Sequence, residues 1–344
     1  MPVFRGRAPL RLGLAGGGTD VPPYCDLYGG AVLSATISLY AHTTITQSTD
    51  GQIHFIALDQ EVEETFPLSS ELPPGNRLSL HRGVYNRVVR DFTEGRPQAV
   101  TIATSCDAPA GSGLGSSSTL VVSMLRTFAE VLNVPLGEYD LAHLAYEIER
   151  IDVGLHGGKQ DQYAAAFGGF NFLEFDASDH TLVNPLRIKE QVISELEASI
   201  VLFFTGKSRS SAEIIEQESR NVREKNEVAI EAMHQTKKQA FLMKEALLRG
   251  QVSTMGEVMR VAWQQKKLMA TSISNQRIDE LYDLAMSRGA FCGKVSGAGG
   301  GGFMMFLVDP SRKLEVVRAL RATQYGEVTD CNFVAGGAQA WRAR

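Results

Sequence analysis

The sequence lacks any apolar run near the roughly 18 residues that a membrane-spanning helix needs, and Met1 to Arg5 opens it without the apolar core of a signal peptide. Both absences point to the cytoplasm. Cysteine is scarce: Cys25, Cys106, Cys292 and Cys331 never fall two to four residues apart, which excludes zinc knuckles and CxxC redox pairs and leaves reduced core thiols. No HExxH pair occurs among the histidines, so any metal is expected to be an oxygen-bound Mg²⁺ rather than a transition ion. Cation is not in excess either. Lys and Arg number 34 against 39 Asp and Glu, a formal net charge of -5, so nothing general is left over to neutralise a nucleic-acid backbone. Internal repeats and low-complexity tails are missing as well.

What the sequence does hold is material for full cores. It runs to 344 residues, 44% hydrophobic and 21% charged, enough for two packed domains at roughly 100 to 200 residues each. In the first half, residues 10–15, 31–37, 40–47, 52–58 and 98–104 alternate in polarity or are rich in β-branched side chains, and are predicted strands. Leu80, Val84, Val88 and Phe92 recur every fourth residue, as do Leu120, Met124, Phe128 and Leu132 ahead of Pro135, and each set predicts one apolar helical face. A helix over 139–151 and a strand over 170–175 follow. Turn-forming residues from 176 to 185 mark a boundary that divides the chain into domains 1–185 and 186–344. The second half opens on an apolar strand, 199–205, then runs without proline from 210 to 249, predicting one long helix or a close pair. A helix at 275–288 closed by Gly289, strands at 291–295 and 303–308, a helix at 312–323 and a strand at 328–334 complete an α+β unit.

Three glycine-rich segments punctuate this order. The central one, Pro109-Ala-Gly-Ser-Gly-Leu-Gly-Ser-Ser-Ser118, lies between a predicted strand and a predicted helix. Glycine lets backbone approach a ligand closely, and the free N–H groups of a helix start attract phosphate. Its bland counterpart is a flexible loop with serine caps. A dinucleotide fold fits poorly, because Gly111, Gly113 and Gly115 give GxGxG with no acidic residue about 20 positions on. A P-loop fits no better. Gly206-Lys207-Ser208 supplies the end of one, but Val201 stands where its first glycine belongs.

With Arg7-Ala-Pro-Leu-Arg-Leu-Gly-Leu-Ala-Gly-Gly-Gly-Thr-Asp20 before that segment and Lys294-Val-Ser-Gly-Ala-Gly-Gly-Gly-Gly-Phe303 after it, the chain resembles the GHMP kinases, the superfamily of galactokinase, homoserine kinase, mevalonate kinase and phosphomevalonate kinase. All three motifs occur in order over almost the whole length, and PxxxGLGSSS is the most specific. The resemblance implies an α+β, two-domain GHMP kinase fold. Its N-terminal β-α-β domain would carry the glycine-rich phosphate loop, its C-terminal domain would be ferredoxin-like, and the site would lie in the cleft between them. Arg7 to Asp20, with Val21-Pro-Pro-Tyr24 and Tyr28-Gly-Gly-Ala-Val-Leu33, is most similar to the sugar-1-kinase branch. That implies transfer of the γ-phosphate of ATP to the anomeric hydroxyl of a sugar phosphate, a heptose 7-phosphate, giving heptose 1,7-bisphosphate for nucleotide-activated heptose. The implied partners are ATP, Mg²⁺ and the sugar phosphate, with no nucleic acid or membrane, and a monomer or homodimer as the working form.

The resemblance also places roles on residues. Asp161, in Lys159-Gln-Asp-Gln162, would orient or deprotonate the accepting hydroxyl, and Arg11 would hold that carboxylate ionised and stabilise the moving charge. A helix cap and a surface ion pair are the competing readings of these two. Pro109, Gly111, Ser112, Gly113, Leu114, Gly115, Ser116, Ser117 and Ser118 would cradle the triphosphate. Ser117 and Glu149 would hold Mg²⁺, a hydroxyl and a carboxylate suiting an ion that keeps several waters. Thr19 and Asp20 are expected to meet sugar hydroxyls, unless they only shape the turn before Val21-Pro22-Pro23. Lys207 and Arg209 are expected to hold the substrate's own phosphate at a helix start, and Gly299 and Gly300 to support the phosphate site from the second domain.

Two further readings remain at this point: an L-fucokinase-like or other sugar 1-kinase acting on an unphosphorylated sugar, and a ligand sensor that keeps the fold without the chemistry. Joint presence of Arg11, Ser117, Glu149 and Asp161 argues against the sensor. Nothing in the sequence marks an adenine pocket.

Overall fold

The computed structural model describes residues 2–177, 180–206 and 211–344. In chain order the first half holds β1 (Val3–Ala15), α1 (Tyr24–Tyr28), β2 (Gly30–Gln47), β3 (Ile53–Ala57), β4 (Val62–Phe66), α2 (Ser79–Phe92), β5 (Val100–Cys106), α3 (Ser116–Leu132), α4 (Glu138–Tyr146), α5 (Gln160–Phe167), β6 (Phe170–Phe175) and β7 (Thr181–Pro185). The second half continues with α6 (Glu190–Ser199), β8 (Ile200–Phe204), α7 (Ser211–Arg223), α8 (Glu227–Arg249), α9 (Val252–Met269), α10 (Gln276–Ser287), β9 (Ala290–Val295), β10 (Phe303–Val308), α11 (Lys313–Ala322), β11 (Glu327–Thr329) and β12 (Gln339–Arg342). Among the described residues no helix is long and apolar enough to cross a membrane.

The first sheet is organised by β2. Predicted as two strands, it is one strand of 18 residues whose first part pairs with β6 and whose last part pairs with β5, while β1 runs antiparallel along its other edge. Period-two alternation divides the side chains of its first part between two cores, and a register shift between Thr36 and Tyr40 brings Ile45 to the same core as Val32. Val32 and Ile45 face α2 and α3, where Val84, Tyr85, Val88, Val121, Leu125 and Phe128 are buried; Ala31, Leu33, Ala35 and Ile37 face Met243, Leu247, Met259 and Phe303 of the second half. The predicted helical stripes therefore fall where their spacing puts them. Because Leu10 and Leu12 of β1 join the second core, the intervening Arg11 emerges on the opposite face.

The second sheet is fully antiparallel in the order β11-β8-β10-β9. Counting only its own strands this is 4-1-3-2, and with α7 to α10 between its first two strands and α11 between its last two it is the expected ferredoxin-like arrangement. The proline-free stretch is a close pair, α7 and α8, broken where Lys225 takes φ 56° and Asn226 accepts a capping bond from Ala229 N–H at 3.1 Å.

Two differences from the sequence reading affect the site. The helix expected over 139–151 widens after Tyr146 into a π-helical turn, Glu147–Asp152, which buries Ile148 and Glu149 side by side. The strand expected over 328–334 ends at Thr329. From there the chain returns to the first sheet: Val334 N–H bonds the Thr36 carbonyl at 3.0 Å, and β12 pairs with β1. The break at 185/186 falls between β7 and α6, and the last residues cross back over it.

Candidate active site

The phosphate-loop candidate is built by backbone conformation. Gly113 and Gly115 take φ 82° and 80°, where a Cβ is strained. A methyl on Gly113 would also strike the Ser296 carbonyl, and one on Gly115 would sit 3.0 Å from the Asp161 carboxyl carbon. Gly115 ends the loop directly before α3, and no side chain among the described residues caps that helix. Its first-turn N–H groups are therefore left for a ligand, and they carry the positive end of the helix dipole.

Asp161 meets this loop from the first turn of α5. Arg11 donates from Nε to Asp161 Oδ1 at 2.7 Å, brings Nη2 to the same oxygen at 2.5 Å, and donates from Nη1 to the Gly113 carbonyl at 2.7 Å. Its side chain is 4% exposed, that of Asp161 19%. The cap and surface-pair readings are thus displaced: a buried guanidinium holds a carboxylate whose remaining access is to the cleft. Residues of both halves line that cleft, with Arg11, Asp161, Ser116 and Ser117 on one wall and Lys266, Gly297 and Gly299 on the other.

Glu149 lies behind the loop, fully buried. Ser117 donates to its Oε1 at 2.7 Å; Ser118 and Gln162 donate to its Oε2 at 2.6 and 2.7 Å. Arg150 Nη1 stands 3.3 Å from Oε1, and the same guanidinium props the 155–158 loop, Nη1 donating to the Leu155 and His156 carbonyls and Nε to that of Gly158. The donor set fits Mg²⁺: one hydroxyl on the cleft wall and one carboxylate oxygen facing it are hard ligands. No group of three or more His, Cys, Asp or Glu residues able to hold a metal occurs among the described residues.

The other expected residues separate. Asp20 reaches the cleft, buried, with Oδ1 accepting from Gly18 N–H at 3.2 Å and Gln160 Nε2 at 2.9 Å, and Oδ2 accepting from Gln160 N–H at 3.1 Å. It thereby ties the first glycine segment to the start of the helix that carries Asp161. Thr19 does not reach the cleft. Its hydroxyl is buried, donates to the Gly16 and Ala31 carbonyls and accepts from Ala31 N–H, so it shapes the turn. Of the central segment, Gly111, Gly113, Gly115, Ser116 and Ser117 line the cleft. Ser112 and Leu114 are buried, their carbonyls accepting from Phe303 and Arg11 N–H groups at 2.8 and 3.2 Å; Ser118 is held by Glu149, and Pro109 supports Ser112 N–H at 3.1 Å. Gly299 lines the cleft, whereas Gly300 stands behind it, bonded to Ile273 and Asn275. Lys207 and Arg209 lie outside the described residues.

Sequence reasoning missed Glu218, Lys266 and Lys294. Lys266 Nζ donates to the Gly297 carbonyl at 2.8 Å and lies 3.4 Å from that of Gly17, joining the first and third glycine segments. Lys294 Nζ donates to the Gly13 carbonyl at 2.6 Å, and burial, together with Lys266 and Arg11, brings its ammonium down to about 7. Burial likewise pushes Glu218 up to about 7, with Lys266 opposing and Asp20 adding to the shift. A signal for two of these was present. Glu218 falls four residues from both Ile214 and Val222, and Lys266 three from both Trp263 and Met269, so each charge interrupts the apolar stripe of its helix.

Known proteins resemble this chain over nearly its whole length. The model of the GHMP kinases N-terminal domain matches residues 79–169, and that of the GHMP kinases C-terminal domain matches 243–326. The chain is 48% identical to the D-glycero-alpha-D-manno-heptose 7-phosphate kinase of Campylobacter jejuni, over 99% of this chain and 100% of that protein. A solved structure of a D-glycero-D-manno-heptose 1-phosphate kinase from Bacteroides thetaiotaomicron superposes with TM-score 0.84 at 46% identity, covering 99% of both chains. Lactococcus lactis galactokinase, solved with galactose, shares the fold alone, with TM-score 0.76 at 17% identity over 98% of this chain and 95% of that one.

Proposed function

The chain belongs to the GHMP kinases, and from that premise we propose that its cleft transfers the γ-phosphate of ATP to the anomeric hydroxyl of D-glycero-D-manno-heptose 7-phosphate, giving the 1,7-bisphosphate. One observation carries the reading: a buried arginine holds Asp161 at the mouth of an uncapped helix start, so that an acceptor oxygen and an anion site face each other. Phosphoryl transfer asks little covalent chemistry of the protein and much positioning. Asp161 takes the proton of the sugar hydroxyl as that oxygen bonds to the γ-phosphorus and the bond to the ADP oxygen breaks. Arg11 keeps the carboxylate in place, and its positive charge lies where negative charge shifts toward the leaving group. Backbone N–H groups from 115 to 118 hold the phosphates against the α3 dipole.

Ser117 and Glu149 are the residues that would hold Mg²⁺. When bound, the ion neutralises phosphate charge.

The names of the two near-identical-length relatives differ in the phosphate position they specify, 7 in one and 1 in the other. A 7-phosphate acceptor leaves the anomeric hydroxyl free, as the similarity to sugar 1-kinases implies. Incubation with ATP, Mg²⁺ and heptose 7-phosphate, followed by phosphorus NMR, tests this. A new resonance coupled to the anomeric proton is expected; a new resonance at any other carbon, or none, would refute it.

A further inference from the structure

Glu218 is unusual among the charged groups of the cleft. It is 1% exposed, and its Oε1 has no hydrogen-bond partner among the described residues. Lys266, the cation nearest in charge, spends its ammonium on the Gly17 and Gly297 carbonyls and makes no ion pair with it within 4 Å. A buried carboxylate oxygen without a donor costs free energy, and the attraction of Lys266 offsets that cost only in part, since burial still lifts the Glu218 carboxyl to about 7. Yet Glu218 forms part of the cleft wall with Gly18, Asp20 and Ile215. A methyl group on Gly18 would lie 3.6 Å from both of its oxygens, so it abuts the first glycine segment and not the phosphate loop, where Arg11 keeps Asp161 against Gly115.

Resting on the kinase reading above, we infer that Glu218 is the sugar-specificity residue contributed by the second domain: its free Oε1 accepts a hydrogen bond from an acceptor hydroxyl other than the one phosphorylated. The ligand class follows from the chemistry. A carboxylate oxygen needs a donor, and a polyol supplies neutral donors in a site where Asp20 already adds negative charge. A nucleotide phosphate brings acceptors and negative charge, and is disfavoured in a corner shared by Asp20 and Glu218. Sugar binding then spans the two halves of the chain, with Asp20 and Asp161 on one side and Glu218 on the other.

Glu218→Leu and Glu218→Gln, compared with the parent protein on heptose 7-phosphate and its monodeoxy analogues, provide the test. Losing a hydrogen bond to a charged group corresponds to roughly 10- to 100-fold. The KM for the sugar phosphate is expected to rise by that factor in Glu218→Leu, with the KM for ATP within about twofold. One monodeoxy analogue that the parent discriminates against should be used by the variant as well as the full sugar is. Without its unpaired carboxylate the apo variant should melt no lower than the parent. An unchanged sugar KM overturns the inference, and so does a parallel loss for sugar and ATP with a fall in melting temperature, the mark of a purely structural residue. If the parent phosphorylates no sugar phosphate, the kinase reading fails on its own. The rise in melting temperature caused by heptose 7-phosphate then decides: an equal rise in parent and variant overturns the role of Glu218, and a rise lost only in the variant upholds it.

Discussion

Arg11 gives Nε and Nη2 to Asp161 and Nη1 to the Gly113 carbonyl, the Nε and Nη1 bonds both at 2.7 Å, so a single side chain couples the proposed base to the proposed phosphate loop. Removing the carboxylate should therefore impair chemistry more than binding. Asp161→Asn is expected to lower kcat by about 10²- to 10⁴-fold, the usual worth of a positioned base, while the KM for ATP moves little. Steady-state rates with both substrates varied check it; a kcat within threefold of the parent would remove Asp161 from the reaction. Arg11→Lys should also fail to restore the parent rate, because an ammonium cannot reach Asp161 and Gly113 in the same fork.

Glu149→Gln keeps the shape and turns one acceptor into a donor. Ser117, Ser118 and Gln162 all donate to this carboxylate, so at least one buried donor would face the new amide. A loss of about 1–3 kcal/mol is expected in urea unfolding. The Mg²⁺ concentration for half-maximal rate should rise as well. If stability falls with an unchanged Mg²⁺ dependence, Glu149 only supports the loop.

Gly113→Ala places a methyl group against the Ser296 carbonyl at φ 82°. No rotamer relieves a clash between Cβ and backbone, so the two glycine segments must part. Strain of about 1–3 kcal/mol is expected, together with weaker ATP binding by calorimetry. A variant with the parent's melting temperature and ATP affinity would show that the loops have slack.

His81 sits buried in α2 with Nε2 2.9 Å from the Thr104 hydroxyl and the Phe55 ring beside it, and burial brings its pKa down from 6.5 to about 4. The unfolded chain therefore binds a proton that the folded chain refuses between those values. Stability present above pH 6.5 is lost as pH falls toward 4, with a slope approaching 1.4 kcal/mol per pH unit. Urea midpoints over this range should show that slope in the parent and a shallower one in His81→Gln. Parallel curves would mean that His81 is not held neutral.

What could be read from the sequence and what could not have physical reasons. β6 and β10 match their predicted limits because glycine or turn residues bracket them. β2 was split at Ser38 because local polarity cannot reveal that a long strand changes partner and continues. Helix α9 went unpredicted, since its buried face includes a lysine. The π-helical turn leaves no mark in apolar spacing, and it buries Glu149. Arg11, Asp161 and Ser117 stand in contiguous motifs and meet at the cleft, whereas Glu149 lies in none of them, its expected role following from the family resemblance alone. Glu218 and Lys266 show in the sequence only as charges that interrupt apolar stripes, because they join the cleft through tertiary packing of helices that carry no motif, and Thr19 misled because a hydroxyl near a ligand site satisfies backbone as readily as substrate.

The Ser112 carbonyl takes the N–H of Phe303, the first residue of β10, and Thr205 bonds the carbonyl of Gly302 just before it. The proposed nucleotide cradle is in this sense an extra rung on the ladder of the distant sheet. A bound triphosphate would act as a rivet across the seam, so heating should melt both halves in one transition that moves upward as a unit when ATP is added, and neither half expressed alone should retain the loop's shape.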